Sequence, residues 1–385
     1  MMRDVPEHLP AHLTGLIGRA ASAIDTPALV IDLDAMERNL ASMADFARQH
    51  QVRLRPHAKM HKSATLARLQ MAAGAVGVCV QKTAEAEALA AGGVNNIYIS
   101  NEVIAPAKLQ RVVALAQQLA ARKGQLAIAV DSLEGIRRLA AAAEGLAPGL
   151  IHVLVEIDVG QARCGLPPGT AAVALVEVIA QRPQLTFSGL QAYHGRAQHL
   201  RTLAERRAAI AQVVNDVRRT VAALQAAGHA VPLVTGAGSG TFLLEAASGV
   251  YGELQAGSYL FMDRDYASNE PDPAQPQFEH ALFVKSQVIS TCASHAVVDA
   301  GHKSHAIDSG LPAVHGRALD YANGGDEHGI VRGRTLPALG DTVWLIPGHC
   351  DPTVNLYNFL IGVRGGLQQG MVEQIIRVDA RGALT

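Results

Sequence analysis

Between residues 52 and 258, apolar runs and helical patterns alternate with a regularity that leaves few folds open. Runs near 52–57, 76–81, 96–101, 125–131, 151–158, 185–192, 231–236 and 251–258 read as strands. Helical patterns near 63–74, 83–92, 106–120, 133–146, 169–182, 203–228 and 241–248 lie between them. The sixth is the clearest: Ile210, Val213, Val214, Val217, Val221 and Leu224 mark one apolar stripe, and Gly228 supplies a stop. Strands alternating with helices imply parallel βαβ units. Eight of them over this length fit a closed (β/α)8 barrel of the TIM type, with an open doubly wound sheet as runner-up.

On either side the pattern changes. Residues 1–24 read as an N-terminal arm, and Thr26–Leu33 as a short strand. Asp34 with Glu37 forms a capping-box pattern, followed by Met36, Leu40, Met43 and Ala47 at helical spacing. Residues 268–277 carry three prolines and no apolar period, and read as a linker. Strand-like runs follow near 279–290, 295–299, 341–347, 358–364 and 371–379. We therefore expect a barrel over 34–262 and a mainly β domain built from 1–33 and 263–385.

Barrels carry their sites at the C-terminal ends of the strands, with phosphate often held after strands seven and eight. Strand one runs into Arg55-Pro56-His57-Ala58-Lys59-Met60-His61-Lys62. As a strand this places Arg55, His57 and Lys59 on one face. Crowding by arginine and histidine would lower the pKa of Lys59 and make it a candidate Schiff-base amine. A solvated basic strand end is the competing reading. Strand seven ends in Gly236-Ala237-Gly238-Ser239-Gly240-Thr241, and strand eight in Gln255-Ala256-Gly257-Ser258-Tyr259. Both are small-residue turns suited to an anion, although each alone is more often only a turn. Arg163 stands in a glycine-flanked loop after strand five, and Tyr193 and His194 end strand six. His194 can act as a base near neutral pH. Gln81-Lys82 and Ser100-Asn101-Glu102 end strands two and three and could line the same mouth. In the β domain, an extended Pro347-Gly348-His349-Cys350-Asp351 would put His349 and Asp351 on one face. Imidazole plus carboxylate suits Mn²⁺ or Mg²⁺, whereas zinc would recruit the thiolate. The segments 299–304 and 326–329 read as polar loops.

Composition excludes other classes. Of 385 residues, 49% are hydrophobic and 17% charged, with a net charge of −1, so a large core is available and no case exists for nucleic acid. No apolar run is long enough to span a bilayer, and the first residues show no leader pattern. Cys79, Cys164, Cys292 and Cys350 are far apart, which suits a reducing, cytoplasmic setting.

From about Asp25 to Gly382, the chain resembles the metal-activated, alanine-racemase-like (fold type III) pyridoxal-phosphate enzymes, specifically the D-threonine aldolase and 3-hydroxy-D-aspartate aldolase family. The motifs that carry the resemblance are DTPALVIDLD, RPHAKMHK, QKTAEAE, SNEV, VEIDVGQARCG, GLQAYHG, TGAGSGT, ELQAGSYLFMDRDY, DEHG and PGHCDPT. It implies pyridoxal 5′-phosphate as cofactor with Lys59 as its lysine. Gln81, Arg163, Tyr193, Gly238, Ser239, Gly240, Thr241, Gly257, Ser258 and Tyr259 would lie around the cofactor. His194 would stand beside the substrate hydroxyl, and His349 and Asp351 would hold a divalent metal. The implied reaction cleaves a D-β-hydroxy-amino acid to glycine and an aldehyde. β-Elimination to ammonia and a keto acid is the alternative, although the sister dehydratases usually carry H-x-C where this chain has H-x-D. A non-catalytic cofactor carrier would be a barrel alone. PGHCDPT and DAGHKSHAIDSGLP look closer to the 3-hydroxyaspartate branch, whose second carboxylate would need a cation such as Lys303, His302 or Arg264. A homodimer is implied.

Overall fold

The computed structural model describes residues 9–385, so the start of the expected N-terminal arm, residues 1–8, lies outside the described residues. The strand β1 (Ala28–Asp32) is followed by the helix Leu33–Gln49. Asp32, not Asp34, caps that helix, its carboxylate accepting from the Ala35 N–H at 3.1 Å. The residues expected to cap serve elsewhere. Asp34 and Glu37 both accept from Arg364, 2.9 and 2.7 Å away, tying the helix to the last sheet strands. Met36, Leu40, Met43 and Ala47 are buried as their spacing required.

Eight parallel strands come next: β2 (Arg53–Leu54), β3 (Val78–Val80), β4 (Asn96–Ile99), β5 (Gln125–Val130), β6 (Ile151–Glu156), β7 (Leu185–Ala192), β8 (Val234–Gly236) and β9 (Glu253–Leu254). Their order is β2-β9-β8-β7-β6-β5-β4-β3. The Val76 N–H donates to the Leu54 carbonyl and the Cys79 N–H to the Pro56 carbonyl, both at 2.9 Å, which joins β3 back to β2 and closes the ring. The helix Leu203–Ala226 starts on a Thr202–Glu205 capping box and ends before Gly228, whose φ of 85° favours glycine.

The interior of the ring is partly polar. Arg55 donates to Glu253 at 3.0 Å, Thr235 to Glu253 at 3.0 Å, and Gln255 to Thr235 and Gln191 at 2.9 and 2.7 Å. Tyr98 closes the chain on Gln191 at 3.1 Å. Each member has at least one partner, although the second Glu253 oxygen, Oε2, has no hydrogen bond and meets only the Arg53 guanidinium at 3.5 Å.

The second sheet has nine strands: β1, β10 (Leu282–Thr291), β11 (Ala296–Val298), β12 (Ala313–Val314), β13 (Asp320–Asn323), β14 (Gly329–Arg332), β15 (Thr342–Ile346), β16 (Phe359–Arg364) and β17 (Met371–Arg377). β1 pairs antiparallel with β10 and parallel with β16, and takes no place in the barrel ring. Three short strands, β12 to β14, fall outside the expected strand runs, because two to four residues carry too little period to show. Residues 268–277 form no strand or helix.

One buried carboxylate makes a pH prediction. Glu245 accepts from Thr241 at 2.7 Å, its second oxygen has no partner, and burial pushes its pKa from 4.5 to about 7. The folded chain holds that proton more tightly than the unfolded chain. Its stabilising effect is therefore complete below about pH 4.5 and is lost as pH rises to about 7, a change of roughly 3 kcal/mol. Urea midpoints of the native chain at pH 5 and 8 should show this loss, and Glu245→Gln should remove the slope.

Candidate active site

A cavity of about 190 Å³ opens where the barrel's strand ends meet the β domain. Lys59, Gln81, Arg163, Tyr193, Gly238, Ser239, Gly257, Ser258 and Asp351 line it, together with His57, Ser100, Gln191, Gln255 and Tyr266. A larger cleft of about 530 Å³ lies elsewhere, beside Lys285, His315 and Trp344; there the Lys285 ammonium is held by backbone carbonyls of Ala21, Ser22 and Ile24.

Strand one ends sooner than expected, and this decides how its basic residues point. β2 stops at Leu54, His57 bridges to Cys79, and Ala58–Met60 form a 3₁₀ turn. Arg55 is therefore directed into the barrel towards Glu253 and Asn96, while His57 and Lys59 reach the cavity. The Lys59 Nζ donates to the Asp351 carboxylate at 2.6 Å. That contact reverses the expected shift: Asp351, chiefly by its charge, raises the Lys59 pKa despite burial. Burial alone would raise Asp351 too, but Lys59 and His349 hold it at about 2.

His57 is held neutral by burial and by the nearby charges of Lys59 and Arg163. Its Nε2 sits 2.9 Å from the Gln81 amide and 3.2 Å from the Ser100 hydroxyl. On the neighbouring strand end, a Cβ at Gly257 would come within 2.6 Å of the His57 carbonyl, so only glycine lets the strand-eight turn approach this closely. Ser239 accepts the Tyr259 N–H at 2.9 Å, which joins the two small-residue turns. Arg163 lies 6.0 Å from the Tyr193 ring centroid.

Five of the expected residues are not among those lining the cavity: Gly240, Thr241, Tyr259, His194 and His349, the last of which stands just beside it. The Gly240 N–H is taken by Gln198 at 3.0 Å, and Thr241 bonds Gln198 and Glu245, both at 2.8 Å or less. Tyr259 is fully buried and accepts from Gln70 at 3.1 Å. His194 packs against Gly160, where a Cβ would come within 2.9 Å of its Nε2; its Nδ1 is buried without a partner, and burial lowers its pKa. Of the cations offered for a second carboxylate, Lys303 and His302 are engaged by Asp326, and Arg264 donates to the Leu311 carbonyl. None of the three lines the cavity.

His349 and Asp351 converge, though not through extended geometry. His349 precedes a short helix, Cys350–Val354, whose first turn brings the Asp351 Oδ1 to 3.7 Å from the His349 Nε2. Cys350 is fully buried, with its Sγ 3.7 Å from the Met262 carbonyl. Two supports were missed. Asp263 accepts the Cys350 N–H at 3.0 Å, and Asp308 lies 2.7 Å from the His349 Nδ1. The latter leaves Nε2 as the free nitrogen facing Asp351. The only advance signal for Asp308 was its place within the DSGLP segment. The Asp351 Oδ1 is buried and has no hydrogen-bond partner, which is what a ligand awaiting a cation looks like.

Residues 31–265 match the alanine racemase N-terminal domain, and residues 281–363 match a putative serine dehydratase domain. A 3-hydroxy-D-aspartate aldolase from Paracoccus denitrificans is 42% identical, over 96% of this chain and 95% of its own. A D-threonine aldolase from Arthrobacter sp. is 44% identical, with 95% of each chain covered. This chain belongs to the D-threonine aldolase and 3-hydroxy-D-aspartate aldolase family. The crystal structure of D-threonine aldolase from Filomicrobium marinum matches it with a TM-score of 0.91 at 46% identity, over 96% of this chain and 99% of that one. As a family member the chain is an alanine-racemase-like enzyme of the carbon–carbon lyase class, and the family implies pyridoxal phosphate. Among the described residues, no helix is long and apolar enough to cross a membrane.

Proposed function

We propose that the chain cleaves D-β-hydroxy-amino acids, D-threonine or 3-hydroxy-D-aspartate, to glycine and acetaldehyde or glyoxylate. The observation that carries this reading is the convergence of the Lys59 amine and the Asp351 carboxylate, 2.6 Å apart, on one cavity, with His349 beside them. The residues fit both groups that the family uses. Lys59 would hold pyridoxal phosphate covalently, with its phosphate against the turns at Gly238, Ser239, Gly257 and Ser258 and its ring near His57, Arg163 and Tyr193. His349 and Asp351 would hold a divalent ion, Mn²⁺ or Mg²⁺, which suits their nitrogen and oxygen donors. The cofactor supplies a sink for the electron pair left when Cα–Cβ breaks, and the ion acidifies the β-hydroxyl.

The chain's own groups do the rest. Lys59 must give up its proton to Asp351 or to water before it can act as an amine. The Arg163 guanidinium lines the cavity and orients an anionic partner. His194, neutral at working pH, takes the β-hydroxyl proton directly or through water, after a small shift from its seat on Gly160. With Lys303, His302 and Arg264 engaged elsewhere, none of these three favours the dicarboxylate substrate, and both substrates stay within the reading. A cytoplasmic homodimer completes it, and sedimentation at working concentration tests the dimer.

Incubation with D-threonine and Mn²⁺ should release glycine and acetaldehyde in equal amounts; ammonia with a keto acid would overturn the reading. Turnover of 3-hydroxy-D-aspartate measured alongside ranks the two substrates. A subtler test concerns Asp308. Asp308→Ala should loosen metal binding about 10- to 100-fold by freeing the His349 ring, read by calorimetry. Unchanged affinity would remove Asp308 from the site.

A further inference from the structure

A second cavity, of about 300 Å³, opens at the other end of the barrel, where the strands begin, and the reaction above does not use it. Its lining residues come in pairs two apart: Arg53 with Arg55 at β2, Gln125 with Ala127 on β5, and His152 with Leu154 on β6. That spacing puts each pair on one face of its strand, here the barrel interior. Barrel interiors are ordinarily closed by layers of bulky branched side chains. In this chain the outermost layer is polar, and Ala127 above it is too small to fill the axis. Ala127, Leu154 and Leu233 form an apolar wall behind the polar layer.

The polar groups of that layer keep unused bonding capacity. Arg55, 9% exposed, donates its Nε to Glu253 at 3.0 Å and its Nη1 to Asn96 at 2.7 Å, and its Nη2 has no hydrogen bond among the described residues. Arg53 is half exposed and meets Glu253 only at 3.5 Å. Glu253 is the one carboxylate among the described residues lining the cavity, so two guanidiniums leave a positive charge in excess. The Ser188 hydroxyl gives its proton to the Thr186 carbonyl at 3.2 Å, and therefore accepts from the His152 Nδ1 at 2.8 Å. Burial, with the Arg55 charge behind it, lowers the His152 pKa, which leaves Nε2 of the neutral ring as a free acceptor.

We propose that this cavity binds a small 2-hydroxy carboxylate with a short aliphatic tail. The carboxylate lies on the guanidiniums of Arg53 and Arg55, the hydroxyl donates to the His152 Nε2, and the tail lies along Leu154 and Leu233. The excess positive charge selects a neutral hydroxyl over an ammonium at the same carbon. Glu253, Thr235, Gln255 and Gln191 are bonded in series between this cavity and the one at Lys59, so the two sites are separate. The site does not depend on the substrate reading above.

The probe is 2-hydroxy-4-methylpentanoate, titrated by calorimetry into holoenzyme, with 4-methylpentanoate, leucine and lactate alongside. One equivalent should bind, about fivefold tighter than 4-methylpentanoate or leucine. Lactate should be weaker still, by about fourfold for each methylene it fails to bury. Arg53→Ala should weaken both 4-methylpentanoates by about tenfold or more, with an unchanged circular dichroism melt. His152→Ala should weaken the hydroxy acid to the level of 4-methylpentanoate and leave the latter as it was. Arg163→Ala, which removes the cation of the other cavity, should leave all these affinities unchanged. Absence of binding would make the polar layer a solvated one and overturn the site. Leucine binding as tightly as the hydroxy acid, affinity unaffected by Arg53→Ala, or binding lost with Arg163→Ala would overturn it too. Should Arg53→Ala melt early, Arg53→Gln, which keeps a donor for Glu253 but no charge, takes its place under the same tenfold criterion.

Discussion

Lys59→Ala is expected to abolish the visible absorbance of lysine-bound cofactor and to lower turnover by on the order of 10⁴-fold or more. Among the described residues, no other lysine lines the cavity. The nearest in sequence, Lys62, is held by Glu85 at 3.2 Å and Asn355 at 3.0 Å and cannot replace it. Lys59→Arg separates two roles. It keeps a cation opposite Asp351 but offers no amine able to form an imine, so it should be as inactive as the alanine variant while preserving more of the native melting temperature. Borohydride reduction followed by peptide mass should place the label on Lys59 in the native chain. Absorbance persisting in both variants would remove Lys59 from its role.

The second large effect concerns the metal pair. EDTA should stop turnover and Mn²⁺ restore it. His349→Ala and Asp351→Asn should each weaken Mn²⁺ by at least about 100-fold, beyond the loss expected from the outer partner Asp308. Cys350→Ser should leave that affinity unchanged, because Cys350 is buried against Met262 rather than turned to the cavity. Loss of metal in the Cys350 variant would instead mean an H-x-C site. Since Asp351 also partners Lys59, its variant must be read by metal affinity and by cofactor absorbance separately.

Most of the barrel was legible because period and punctuation agreed. β7 runs from 185 to 192 as the apolar run indicated, and the helix Leu203–Ala226 follows its stripe. The first strand misled, because a period-two reading was carried past Leu54, where the chain turns into 3₁₀ geometry. That error placed Arg55 in the site and predicted the wrong sign for Lys59. The correct sign needed Asp351, which no local pattern could bring near. Gly240, Thr241 and Tyr259 were read by adjacency to real cavity residues, yet a turn sends neighbouring groups in different directions. Gln198, which claims the Gly240 N–H, sits 42 positions away. Gln191 and Gln255 went unassigned because glutamine carries no chemical signature until its partners are known. Asp308 was hidden for the same reason, some 41 positions from the imidazole it orients.

The ion pair between Lys59 and Asp351 spans 292 positions of chain. During synthesis, the barrel leaves the ribosome long before the carboxylate that faces its lysine. Prematurely terminated chains ending anywhere before residue 351 would therefore carry the reactive amine without the group that governs it. Catalysis of the proposed kind reports only on molecules whose translation ran nearly to completion, so activity per mole of this chain, truncated and complete copies counted together, measures the fraction of full-length product.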